Sequence, residues 1–179
     1  YLLYLAGAHG ILVEPDPEQA QRLLKARPRD VVINCGVAFD ERTEATLFRM
    51  TSRVFNTFSE MQAEKVVAAS QQWEVRQDII DSIKVPLIPA NEIVDRYFRD
   101  DPITLISIDT EGFDLPILQS IDFTKITNDK ALPAFVCAEA SAPFEGFMQH
   151  LEPAGFELMA RTPDNWLFRR HHERLFSKS

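Results

Sequence analysis

At 179 residues, 45% hydrophobic and 26% charged, the chain has the size and balance of one ordinary globular domain with a real core. Its net charge of −8, from 19 basic and 27 acidic side chains, argues against a nucleic-acid surface as main partner, because phosphate binding calls for a basic face. No apolar run approaches membrane-spanning length, so no integral membrane segment is expected.

The chain opens YLLYLAGAHG, without Met and without a signal-peptide pattern, so further native sequence is expected upstream. Residues 1–8 read as the tail of a helix, ended by Gly7 and Gly10. Residues 11–13 form a short buried strand that stops at Glu14 and Pro15. In DPEQAQRLLKARP, Asp16 can cap a helix, Pro17 suits its first turn, Gln19 stands at capping-box spacing and Pro28 closes it. DVVINCGVA then forms a second buried strand, and strand, helix, strand at this spacing predicts a parallel sheet.

Residues 44–51 read as a further extended piece, and 52–82 are polar and mixed. Ser59 and Gln62 have capping-box spacing ahead of a helix in MQAEKVVAASQQW. Residues 85–88 are extended, and ANEIVDRYF is a helix with Ile93, Val94, Tyr97 and Phe98 on one face. ITLISID is a strand followed by the helix FDLPILQSI. PAFVCAE is another buried strand, and APFEGFMQHLEPAG a helix ending at Gly155. FELMAR and NWLFRR flank turn residues Thr162 to Asn165 and predict an antiparallel hairpin, before a short polar tail. No internal repeat appears, and residues 1–179 read as a single domain.

Cys35 and Cys137 each lie in an apolar run, so they read as buried free thiols of a reducing, cytoplasmic compartment. Ligands of open α/β sheets bind beyond the carboxyl ends of the strands, and this chain ends its strands in acids or small polar groups. Glu14 could accept the ribose hydroxyls of a nucleoside cofactor, or simply favour the dipole of the next helix. Gly36 could let the backbone approach an adenine ring, or could be a turn glycine. Asp109 could be a general base toward a hydroxyl, a metal ligand or the holder of a cofactor ammonium; its plainer role is a helix N-cap. Gly112 permits a tight strand-to-helix turn, and Glu111 and Asp114 would suit the helix dipole. Glu139 could form a carboxylate pair with Asp109 across neighbouring strands. Thr57, Phe58, Ser59 and Trp73 lie where insertions over such a rim carry substrate contacts, although capping is the simpler role for Ser59. His9, His150, His171 and His172 show neither triad nor metal spacing.

The segments GILVEPDPEQAQRLLKARP, VVINCGVA, NTFSEMQAEK, VPLIPANEIVDRYF, LISIDTEGFDLPILQSIDF and GFELMARTPDNWLFRR, in this order over nearly the whole chain, resemble the FkbM family of S-adenosylmethionine-dependent methyltransferases. The run Asp109, Thr110, Glu111, Gly112 with the downstream Leu118 is the most specific feature, and EPDP at 14–17 is next. The resemblance implies an α/β, Rossmann-like class I methyltransferase fold with a mostly parallel sheet ending in an antiparallel hairpin. It implies methyl transfer from S-adenosyl-L-methionine to a hydroxyl of a sugar, glycolipid or natural-product acceptor. It places Glu14, Pro15, Asp16, Cys35, Gly36 and Asp109 at the cofactor, and Asp109, Glu111 and Glu139 at the reaction centre. Asp109 as base is the first choice there, and a divalent metal held with Glu139 the second. Two positions depart from the family pattern: Ser107 stands where Lys is common, and Asp114 where Glu is common. No GxGxxG occurs in the chain, so the family's first strand and glycine-rich loop are expected upstream of Tyr1.

Two other readings compete. One is a catalytically silent domain of this fold that serves binding or assembly. The other is a nicotinamide-dependent oxidoreductase, which leaves the Asp109–Gly112 run and the terminal hairpin unexplained.

Overall fold

The computed structural model describes residues 2–97, 104–123, 134–140 and 142–170. They fall into two compact units, residues 1–93 and 94–179, each described by itself.

In the first unit, α1 (Leu2–Leu5) precedes β1 (Ile11–Val13), α2 (Pro17–Ala26) and β2 (Val31–Ile33). β1 and β2 are parallel, with Ile11 opposite Val31, so the expected strand–helix–strand unit forms. Asp16 caps α2 by accepting from Glu18 N at 2.9 Å. The reciprocal half of the capping box does not form: Gln19 Oε1 is buried without a hydrogen-bond partner. The Asp16 N–H that a capping box directs to that side chain goes instead to Glu14 Oε1 at 2.8 Å.

DVVINCGVA is two strands rather than one. It breaks at Asn34 and Cys35, and β3 (Gly36–Ala38) pairs in parallel with β5 (Ile79–Pro89). β4 (Glu44–Met50) runs antiparallel to β5, giving the order β3-β5-β4. β5 is longer than the 85–88 read from the sequence, because its first half, Ile79 to Ser82, is exposed in succession and shows no alternating or buried apolar pattern. Gly36 serves a close approach: a Cβ there would lie 2.6 Å from Leu87 Cδ2 and 2.8 Å from Phe58 Cζ. Ser59 caps α3 (Glu60–Ala69) through Gln62 N at 3.2 Å, as its spacing predicts. Met50, Ala63 and Val66 form a buried cluster under Phe48, Phe55 and Val67. α4 (Ala90–Tyr97) contains the boundary between the units. Phe98, expected on its apolar face, lies outside the described residues.

In the second unit, β6 (Leu105–Ile108), α5 (Asp114–Ser120) and β7 (Phe135–Glu139) repeat the parallel pattern, with Ile108 opposite Ala138. α6 (Phe144–Leu151) follows, then the hairpin of β8 (Phe156–Arg161) and β9 (Asn165–Arg170), closed by Asn165 N donating to Thr162 Oγ1 at 2.9 Å. The strand order is β6-β7-β9-β8. One face of this sheet carries buried Ile108, Val136, Ala138, Trp166 and Phe168. Phe147 of α6 meets Trp166 edge-on, with ring centroids 4.9 Å apart. The tail from 171, including His171 and His172, lies outside the described residues.

In place of the mostly parallel single sheet expected from the sequence, the described residues form sheets of two and three strands in the first unit and of four strands in the second. The pairs β1–β2, β3–β5 and β6–β7 are parallel, while β4–β5, β7–β9 and β8–β9 are antiparallel. The extra antiparallel content comes from β4 folding back on β5, where period and composition gave no pairing direction.

Candidate functional site

The predicted site residues lie at strand ends in both units: Glu14, Pro15, Asp16, Cys35 and Gly36 in the first, and Asp109, Glu111 and Glu139 in the second.

In the first unit Glu14 leaves β1 half-buried. Its Oε1 is fixed by Asp16 N, and its Oε2 accepts no hydrogen bond from the described residues. Burial pushes its carboxyl above the usual value; the Asp16 N–H opposes this and the Asp16 charge adds to it. Asn34, at the end of β2, donates to Glu14 O at 2.8 Å and to Pro15 O at 3.1 Å. The Asp16 carboxylate is wholly buried. Besides Glu18 N it accepts from Asn56 Nδ2 at 3.0 Å, and Arg53 Nε and Arg49 Nη1 stand 3.6 and 3.8 Å away. Cys35 is buried and free, and burial raises its thiol to about 11, so it is no nucleophile at neutral pH. Phe58 packs against Gly36; elsewhere in the unit buried Thr57 orders the approach to α3 by accepting from Ser59 N, and exposed Trp73 tilts against Phe55 at 5.4 Å.

In the second unit the register sets Ser107 of β6 beside Cys137 of β7, and Asp109 and Glu139 each follow the last paired positions, Ile108 and Ala138. Asp109 and Glu139 therefore leave adjacent parallel strands at the same level. Asp109 is not the helix cap: Phe113 occupies that position, with no side-chain capping bond. The turn between strand and helix is tight, with Glu111 at φ 52° and Gly112 at φ 105°.

Burial raises the Asp109 carboxyl, and the Asp114 charge adds to the effect. Burial, then the charges of Glu139, Asp109 and Asp114, push Glu111 up to about 7. Glu139 is raised by burial and by Asp114, Asp109 and Asp164, and its Oε2 is sequestered from solvent without a hydrogen-bond partner. Carboxyls raised by burial and by neighbouring acids in this way suit proton transfer near neutral pH. No group of three or more His, Cys, Asp or Glu among the described residues is arranged to hold a metal ion.

Two kinds of residue escaped the sequence reading. Asp114, taken as a dipole partner, is wholly buried and accepts from Thr110 Oγ1 at 3.0 Å, Thr110 N at 3.3 Å and Glu139 N at 3.2 Å. It ties the ends of β6 and β7 together. Asn34 stands among the small polar groups expected at strand ends, but its partners, and Asn56 altogether, escape the sequence because nothing in their local pattern marks a partner 19 to 40 residues away. His150 Nε2 lies 3.2 Å from Ile121 O.

These features define a mixed α/β protein whose strands end in partly buried carboxyls. The family model described as "Methyltransferase FkbM domain" matches residues 1–161, and the chain belongs to that family. No curated protein and no solved structure is matched by the chain. Among the described residues no helix is long and apolar enough to cross a membrane.

Proposed function

We propose that this chain is an S-adenosylmethionine-dependent O-methyltransferase acting on a hydroxyl of a small-molecule or carbohydrate acceptor, such as a sugar, glycolipid or natural product. Residues 1–179 then belong to one methyltransferase-like domain of the class I type. Family membership supports a methyltransferase and, with it, S-adenosylmethionine as donor. The observation that carries the choice of residues is Asp109: a raised, solvent-reaching carboxyl without a capping duty, level with Glu139 on the next strand.

The residues present fit the cofactor. Glu14 offers Oε2 to a ribose while Oε1 is held by the backbone. Pro15, Asp16, Cys35 and Gly36 shape the surrounding loops, Gly36 through its backbone because its Cβ side is filled by Leu87 and Phe58. When bound, the cofactor supplies an electrophilic methyl group. Asp109 takes the proton from the acceptor hydroxyl, a poor nucleophile until it is deprotonated. Burial and the Asp114 charge raise the proton affinity of Asp109 toward its task, and Glu139 and Glu111 keep the surrounding region acidic.

The test is calorimetric titration of the full-length protein with S-adenosylhomocysteine, together with methyl-transfer assays on a panel of hydroxyl acceptors. Asp109→Asn should cut turnover by about 10²–10⁴-fold, the range of general-base catalysis, with cofactor affinity nearly unchanged. Glu14→Ala should weaken cofactor binding by about tenfold or more, as expected for loss of a charged hydrogen bond. Absence of binding heat at high S-adenosylhomocysteine concentration would leave the silent-module reading in its place.

A further inference from the structure

We infer that Asn56 and Asn34 are positioning residues for Glu14, and so determine how tightly the ribose of the cofactor is held. The inference rests on the ribose role proposed for Glu14. A carboxylate at a strand end can hold two vicinal hydroxyls only if its orientation is fixed before binding, because each rotamer left open costs affinity. Among the described residues, no side chain donates to the Glu14 carboxylate to fix it. Its Oε1 bonds to Asp16 N at 2.8 Å, so its orientation is inherited from the placement of residue 16.

Asp16 is in turn placed by a side chain from far along the chain. Its buried Oδ2 accepts from Asn56 Nδ2 at 3.0 Å, while Asn56 Oδ1 accepts from Met50 N at 2.9 Å. Met50 is wholly buried at the end of β4. Asn56 therefore ties the 14–16 turn to the core of its unit with both ends of one amide. Arg53 and Arg49 approach Asp16 only to 3.6 and 3.8 Å and are also engaged with Glu18, so they offset its charge without setting its direction. Asn34 clamps the other side by donating to the carbonyls of Glu14 and Pro15. An amide suits position 56 because it donates to the Asp16 carboxylate from one atom while it accepts from Met50 N on another.

The experiment measures affinity of the full-length protein for S-adenosylhomocysteine and for its 2′,3′-dideoxy analogue, which lacks the ribose hydroxyls. Asn56→Asp keeps the acceptor for Met50 N but sets a second carboxylate against Asp16. It should weaken S-adenosylhomocysteine binding about tenfold, the scale of one charge-assisted hydrogen bond, and leave the dideoxy analogue within about twofold. The exchanged pair Asp16→Asn with Asn56→Asp restores one donor facing one acceptor and should recover most of the loss. Should Asn56→Asp fail to fold, Asn34→Ala at an exposed position carries the same test, with a smaller loss again confined to the ribose-bearing ligand. Equal losses for both ligands, or none while Glu14→Gln weakens binding, overturn the inference and leave the Glu14 reading standing. Glu14→Gln binding as tightly as the wild type, or a wild type that binds nothing, removes both.

Discussion

Glu111 is the most constrained residue at the strand-to-helix turn of the second unit. It is the only non-glycine residue at positive φ among the described residues, at 52°, and it sits directly before Gly112 at 105°. A side chain in the left-handed region costs about 1–2 kcal/mol, and part of this returns when glycine replaces it, less the extra freedom glycine gains in the unfolded chain. Glu111→Gln removes only the charge, whereas Glu111→Gly removes the charge and the strain. The glycine variant should exceed the glutamine variant in unfolding free energy by about 0.5–1 kcal/mol, measured by urea denaturation at one pH. A glutamine variant equal to or more stable than the glycine variant would show that the turn carries no such strain. The glutamate is retained at a strained position beside Asp109 and Glu139, which is where such strain tends to collect in functional sites.

At the scale of elements, β6, α5 and β7 are held at one end by a single buried carboxylate. Asp114 satisfies Thr110 N, Thr110 Oγ1 and Glu139 N at once. Asp114→Ala leaves two backbone donors near the core unmet and should lower unfolding free energy by about 3 kcal/mol. Thr110→Val removes one hydroxyl bond and should cost about 1–2 kcal/mol. If chemical denaturation gives the two variants equal losses below 1 kcal/mol, the tie between the strands is dispensable. This contrast also marks how far the sequence is legible. The elements themselves follow from local signals: Asp16 and Ser59 cap their helices, apolar runs form β1, β6 and β7, and the terminal hairpin closes at Thr162–Asn165. Local signals do not reach partners. The pairing of β4 with β5, the break at Asn34, and the duties of Asp114 and Asn56 depend on which segments meet in space. Asp109 stood between cap and site in the sequence because both roles put an acid before a helix; the intervening turn through Gly112 moves the helix start to Phe113 and removes the cap role.

Across the whole molecule the carboxyls pull in two directions with pH. Glu14, Asp109, Glu111 and Glu139 are raised by burial first and then by the charges of neighbouring acids, Asp16 for Glu14 and Asp114 for Asp109, with Glu111 reaching about 7. Asp40 and Asp81 are lowered by side-chain hydrogen bonds from Arg42 and Arg49, but both lie at the surface. A raised carboxyl binds its proton more tightly in the folded state. Its contribution to stability is therefore complete below the ordinary carboxyl value and is lost as pH climbs through the folded value. The lowered pair acts oppositely, contributing above the ordinary value and losing that contribution only in stronger acid. Between pH 5 and 8 the raised group dominates, and relief of the net charge of −8 toward the isoelectric point near 5.0 acts in the same direction. Stability should thus increase as pH falls from 8 to about 5.5, opposite to the trend of a protein whose acids are held by salt bridges. Glu111→Gln should flatten this slope by an amount on the order of 1 kcal/mol once solvent screening is allowed for, gaining most at pH 8 and little near pH 5. Urea midpoints of the wild type and the variant across this range provide the measurement. A wild-type midpoint that is flat or higher at pH 8 would show that these carboxyls are not raised in the folded state, and a slope unchanged in Glu111→Gln would assign the effect to net charge alone.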